Sequence, residues 1–332
     1  MKKYCFVLLV MAATACSNKH AYPIIGRIER LDPSLDSIIV NDAKIEIIAD
    51  SLNWAEGPLW IEKNKMLLFS DVPQNTIYKW TEEKGKEIYL TPSGYTDTAK
   101  RGGETGSNGL TLDNNGNLVL TQCGNRQIAL MNAPLNKPAP VFTTICNAYK
   151  GKKFNSPNDV IVNSIGEIFF TDPPYGLEKK MDDPKKELPF QGVYKIKRTG
   201  EVILLTDTIT RPNGILLLPG EKTLLVANSD PEKPNWYAFD LGPGDSITNA
   251  RIFYTTAGSD TSLKGLPDGM KVDKAGNLFA TGPGGVWIFN RSGKLIGKIK
   301  VPDAASNCAF SADEKTLFIT NHMNVLRLKM RQ

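Results

Sequence analysis

The stretch FNSPNDVIVNSIGEIFFTDPPYG, Phe154 to Gly176, has two halves of different character. A polar Ser-Pro-Asn-Asp turn leads into an alternating, β-branched and aromatic segment that ends in Thr171-Asp172-Pro173-Pro174. Alternation bounded by Asn, Asp and Pro reads as a pair of strands. The same phrase returns along the chain. Glu56-Gly57-Pro58 precedes MLLFSD, Asn108-Gly109-Leu110 precedes GNLVLTQ, and Asn158-Asp159-Val160 precedes GEIFFTD. Asn213-Gly214-Ile215 precedes KTLLVAN, Asp268-Gly269-Met270 precedes GNLFATG, and Asn307-Cys308-Ala309 precedes KTLFITN. These six copies start 39 to 55 residues apart, which suits a four-stranded unit of about 40–50 residues. Each copy carries a second, weaker strand pair such as GVYKIKRTGEVILL, Gly192 to Leu205.

Six four-stranded sheets set radially make an all-β, six-bladed β-propeller, a closed ring that limits exposed strand edges. The last copy has room for only three strands, and an orphan strand, KIEIIAD from Lys44 to Asp50, stands just before the first copy. It is expected to pair as the outer strand of the last blade and so join the two ends of the chain. The propeller domain is then residues 43–332.

The chain opens MKKYCFVLLVMAATAC. Two lysines, an apolar run and small residues form a secretory signal, residues 1–15, rather than a membrane span. Ala13-Thr14-Ala15-Cys16 resembles a bacterial lipoprotein box, with Cys16 as the lipid carrier and residues 16–42 as a tether. The expectation is an exported lipoprotein, held to the membrane by its lipid alone, on the periplasmic face. The net charge of +5 is spread without basic runs, which argues against a nucleic-acid partner. Cys123, Cys146 and Cys308 have no metal-type spacing, and at most one disulfide is expected among them. Nothing in the pattern calls for more than a monomer.

In a propeller the first strand of each blade lines the central channel, so the residues opening the copies converge on one mouth: Glu56, Asn108, Asn158, Asn213, Asp268 and Asn307. All are oxygen donors. Such a set suits a hard cation, Ca²⁺ before Mg²⁺, Mn²⁺ or Zn²⁺, with two carboxylates to balance it. The ordinary reading of Asn or Asp before Gly is a turn former, but Glu56 is a poor turn residue. Because the second strand returns to the same end, its tail residues, among them Cys123, Asp172 and His322, are expected at the same mouth. His322 is the sole histidine of the body and a candidate proton shuttle. Leu177 to Phe190 reads as a rim flap or a solvated loop.

These phrases resemble the SMP-30/gluconolactonase/LRE-like family of six-bladed propellers, from about Lys44 to Gln332. The carriers are WAEGPLW, NSPNDV with FFTDPPYG, RPNGI, LPDGM and NCAFSADEKTLFIT. The resemblance implies one divalent cation, commonly Ca²⁺, held by Glu56, Asn213 and Asp268, with Asn158 on the metal or the substrate. It also implies hydrolysis of a sugar lactone. Asp268 is then the base for water, with His322 as substitute, and Asn108, Asn158, Asp172, Cys123 and Asn307 are candidates for substrate contact. No Gly-x-Ser-x-Gly elbow is present. The competing readings are a non-catalytic binding propeller with a structural cation, and an esterase or organophosphate hydrolase on the same site.

Overall fold

The structure is a computed structural model that describes residues 21–331. The expected signal and Cys16 lie outside them. Six antiparallel sheets stand around an axis, each contributing its innermost strand to the central channel: Ala55–Ile61, Ser107–Leu112, Val160–Val162, Pro212–Leu217, Met270–Val272 and Ala305–Phe310. We number the blades 1 to 6 in that order. The expected ring closure is present, with Ile45–Ala49 pairing antiparallel to Asn324–Lys329 as the outer strand of blade 6. No helix among the described residues is long and apolar enough to cross a membrane.

The second strands explain why the repeated phrase is apolar throughout. Leu68 packs with Leu110, Leu118 and Leu120 of blade 2, whereas Leu67 and Phe69 pack with Phe318 and Val325 of blade 6. Successive side chains of a strand point to opposite faces, and here both faces meet a neighbouring blade. The buried apolar residues accordingly divide into six clusters, one for each seam between blades.

One expectation needs correction. The segment read as a tether up to residue 42 is part of the folded body from Tyr22 onward, with Tyr22 against Trp80 and Ile24 bridged to Glu46. Arg27–Arg30 adds a fifth strand to blade 5 by pairing with Leu295–Lys300. Leu35, Ile38 and Ile39 then enter the seam between blades 5 and 6. Each such buried side chain contributes about 1.5–3 kcal/mol, and Leu35 lies over Gly297, where a Cβ would come within 2.4 Å of it. Polar residues on the exposed side of RIER hide the strand from a periodicity reading. The three cysteines named above are all free.

Candidate active site

The inner strands do not enter the channel as regular strands. In blades 1, 2, 4 and 6 the ladder slips by a residue close to the mouth, after Glu56↔Ser70, Ser107↔Gln122, Pro212↔Asn228 and Ala305↔Asn321. A bulge re-aims the side chain that follows it. In blade 1 Glu56 is itself the last residue in register before the slip, whereas in blades 2 and 4 that side chain is Asn108 and Asn213. In blade 6 it is Ser306, not Asn307. Asn307 therefore sits one step deeper, where its Oδ1 accepts from the Cys308 backbone at 2.9 Å and from Lys271 Nζ at 3.4 Å. Asn-Cys-Ala reads like Asn-Gly-Leu, and the one-residue offset appears only in the strand pairing.

The glycine after the rim residue has a different purpose from turn formation. A Cβ on Gly214 would lie 2.2 Å from the Asp268 carbonyl oxygen, and one on Gly57 would lie 2.0 Å from that of Asn108. Blades approach backbone to backbone here. Hydroxyls on the second strands fix that approach: Thr121 Oγ1 donates to the Asn158 carbonyl and Thr171 Oγ1 to that of Asn213, each at 2.7 Å. Ser70 Oγ reaches the Asn108 carbonyl at 3.0 Å.

Glu56, Asn108, Asn158, Asn213 and Asp268 open into one cavity of about 410 Å³. Asn213 Nδ2 donates to Ser229 Oγ at 2.9 Å, and Ser229 Oγ donates to the Pro267 carbonyl at 2.7 Å. This leaves Asn213 Oδ1 for the cavity. Glu56 accepts from the Gly57 backbone at 3.1 Å and from Trp54 Nε1 at 3.4 Å.

The carboxyls crowd one another. Burial first, then the charge of Asp159, pushes Glu56 up to about 8. Burial and the charge of Glu56 raise Asp268 well above the usual carboxylate range. Burial takes Glu104 to about 7, with Lys180 pulling it back. Glu104 also lines the cavity, and its Oε2 is buried without a hydrogen-bond partner. Among the described residues no three His, Cys, Asp or Glu side chains form a metal cage by themselves. The all-oxygen mixture of carboxylates and amides nevertheless fits a hard divalent cation, which would relieve the mutual repulsion of Glu56 and Asp268.

Three expected site residues lie elsewhere. Asp172 is fully buried beside the cavity wall, where its carboxylate accepts from the backbones of Asn155 at 2.8 Å and Ser156 at 2.7 Å. Asp71 does the same for Asn53 and Trp54, and Asn228 for Arg211. These strand tails are thus clamps on the segments entering the inner strands of blades 1, 3 and 4. Cys123 is buried against the Pro157 carbonyl, with Sγ donating at 3.3 Å, and burial raises its thiol far above the normal range. His322 packs its ring edge-on against Trp54, 5.5 Å between centroids, outside the cavity lining. A left-handed φ of 53° turns it aside.

Residues that the repeats did not single out complete the wall: Trp54, Glu104, Tyr175, Lys180 and Arg211. Trp54 and Arg211 stand two places before a rim residue, and residues two apart on extended chain share a face. Applying that arithmetic to each repeat finds them. Glu104 comes from the long connection between blades 1 and 2 and has no counterpart in the repeats.

A family profile described as "SMP-30/Gluconolactonase/LRE-like region" matches residues 54–323. The chain belongs to this family. A gluconolactonase of Zymomonas mobilis is 37% identical over 326 residues, covering 96% of this chain and 90% of the relative. A solved gluconolactonase of Xanthomonas campestris, XC5397, superposes with a TM-score of 0.79 at 29% identity, covering 94% of this chain and 98% of the other. A structure titled as a calcium-binding protein, regucalcin, from Agrobacterium tumefaciens gives a TM-score of 0.64 at 17% identity, covering 94% and 97%. That last likeness is one of fold. Membership in the SMP-30/gluconolactonase/LRE-like family accords with the channel-mouth geometry, in which blades 1 to 5 each supply one polar rim residue.

Proposed function

We propose that this chain is a lactonase that hydrolyses a sugar lactone to the hydroxy acid in the channel-mouth cavity. The observation that carries the proposal is the convergence of Glu56, Asn158, Asn213 and Asp268 on one cavity beside Asn108 and Glu104. The gluconolactonase relative supports the substrate class.

Glu56, Asn213 and Asp268, with Asn158, would hold one divalent cation, for which Ca²⁺ is the best match to irregular oxygen ligands. When bound, that ion supplies polarisation of the lactone carbonyl and charge stabilisation for the developing oxyanion. The chain's own groups do the rest. Asp268 orients a water and accepts its proton as the water oxygen bonds to the carbonyl carbon. The same proton returns to the ring oxygen as the carbon–oxygen bond of the lactone breaks, leaving one hydroxyl and one carboxylic acid. Asn108 and Asn158 amides hold substrate hydroxyls. Trp54 offers an aromatic face to the sugar ring. His322, behind Trp54, supports that ring and takes no part in proton transfer.

The test is acid release from glucono-1,5-lactone, with spontaneous hydrolysis subtracted, in EDTA and after adding Ca²⁺, Mg²⁺, Mn²⁺ or Zn²⁺. A metal-restored rate supports the reading, and Asp268→Asn should lower kcat by about 10²-fold or more. Absence of turnover with every ion, on glucono-1,5-lactone and on a panel of other lactones, would overturn it in favour of a binding propeller. We also propose export and lipid attachment at Cys16, on the periplasmic face of the membrane. Metabolic labelling with a clickable fatty acid, lost in Cys16→Ser, checks the lipid, and exclusion of surface protease from intact cells checks the side.

A further inference from the structure

The cavity is acidic at its floor and basic at its lip. Glu56 is buried and Asp268 and Glu104 are half-buried, whereas Arg211 and Lys180 of the same wall are exposed. Arg211 is the only charged residue among those standing two places before a rim residue: Trp54, Gly106, Ser156, Arg211, Leu266 and Ala304. Gly106 and Ser156 are small there and do not reach the cavity, while Tyr175 and, from the Leu177–Phe190 insertion, Lys180 do.

Neither cationic side chain has an ion pair or hydrogen bond within the described chain. The carboxylate nearest in charge to Arg211 is Asp230, which is already engaged by Thr210 Oγ1 at 2.5 Å and the Glu232 backbone at 3.1 Å. Lys180 faces the charge of Glu104, whose Oε2 remains without a hydrogen-bond partner. By contrast Arg101, in the neighbouring loop, is spent on the carbonyls of Gly124 and Gly176. A neutral polyol needs no such pair. A planar guanidinium with its fork unoccupied matches a carboxylate or phosphate, and an ammonium beside it adds a second charge.

Resting on the lactonase reading, we propose that the physiological substrate is a sugar lactone carrying an anionic group at the end remote from the ring ester. Arg211 and Lys180 bind that group at the lip while the ester lies over the acidic floor. A cavity of about 410 Å³ is within the usual range for a ligand of this size. The two cations act as a specificity device, because the lip would otherwise leave an anion to face carboxylates alone.

The experiment compares kcat/KM, by pH-stat with spontaneous hydrolysis subtracted, for glucono-1,5-lactone, galactaro-1,4-lactone and 6-phosphogluconolactone. Galactaro-1,4-lactone tests a free carboxylate and 6-phosphogluconolactone a phosphate, so the pair separates the two sources of charge. The expected result is a preference of about tenfold or more for at least one anionic lactone over the neutral one. That ratio should collapse toward one in Arg211→Gln/Lys180→Gln and shrink with added KCl. Equal rates on neutral and anionic lactones, or a preference that survives in the double variant, would overturn the proposal. If no lactone turns over, calorimetry with galactarate and gluconate still decides the lip. Tighter galactarate binding that is lost in the double variant sustains the anion subsite while the lactonase reading fails, and equal binding ends both. Circular dichroism and Tm confirm that the double variant is folded.

Discussion

Gly214→Ala tests whether the site is built by close approach of neighbouring blades. The added methyl would lie 2.2 Å from the Asp268 carbonyl oxygen, 2.7 Å from its carbonyl carbon and 2.8 Å from Gly269 Cα. All three are backbone atoms, so no side-chain rotation relieves the clash. Restoring ordinary contact requires blades 4 and 5 to part locally by about 1 Å. Overpacking of this kind costs about 1–3 kcal/mol, and a domain of this size then loses about 2–10 °C in Tm. The functional effect should exceed the stability effect, because Asn213 and Asp268 sit on the two backbones being forced apart. A displacement of about 1 Å at reacting groups costs on the order of 10²-fold in rate. Gly200→Ala is the control. A Cβ there meets nothing within 4 Å, and its φ of +86° alone should cost about 1–2 kcal/mol with activity kept. The assay is kcat/KM on glucono-1,5-lactone alongside thermal unfolding. A Gly214→Ala protein with wild-type activity and Tm would refute the close-approach account.

Thr171→Val removes the donor to the Asn213 carbonyl and leaves that carbonyl buried, so stability should fall by about 1–3 kcal/mol in urea titration, with Ca²⁺ affinity falling as well. Leu35→Ala should cost about 2–5 kcal/mol by the same measurement, because Leu35 is fully buried in the seam between blades 5 and 6, whereas a tether residue would cost nothing. Burial raises the Asp172 carboxyl to about 7 from an ordinary 3.8. Its folded form holds a proton that the unfolded chain releases, so its contribution is full below pH 4 and is lost as pH rises through 7. Asp172→Asn should therefore flatten the pH dependence of unfolding free energy between those limits by about 4 kcal/mol.

The repeat was legible because every second strand is apolar on both faces, as Leu67 and Leu68 show by packing into different seams. A strand of that kind needs two neighbours, and six of them make a ring. The rim was legible to within one residue. Glu56, Asn108, Asn158, Asn213 and Asp268 all reach the cavity, whereas in blade 6 the bulge follows Ala305, Asn307 is already back in the ladder opposite Thr320, and the lining is Ala304 and Ala305. Asp172 misled because a carboxylate at a strand end has two equally polar tasks, facing solvent at a pocket or binding backbone N–H groups. Only the positions of the Asn155 and Ser156 amides decide between them. Glu104 could not be read, since a loop outside the repeat carries no register. The fifth strand of blade 5 was hidden by its own charge, Arg27 and Glu29 standing on one face of an edge strand while Arg30, on the Ile28 face, donates to the Ile39 and Val40 carbonyls.

The pairing of Ile45–Ala49 with Asn324–Lys329 brings two segments from far apart in the chain into one sheet. At about 5–20 residues per second of synthesis, the first of these strands leaves the ribosome about 15–60 s before its partner. Through that interval blade 6 is incomplete and the flank of blade 1 has nothing to lie against. Closure of the ring therefore waits for Asn324–Lys329. The cavity mouth, which needs blade 6 beside blade 1 to position Trp54 and Glu56, comes into being only once Asn324–Lys329 has been made.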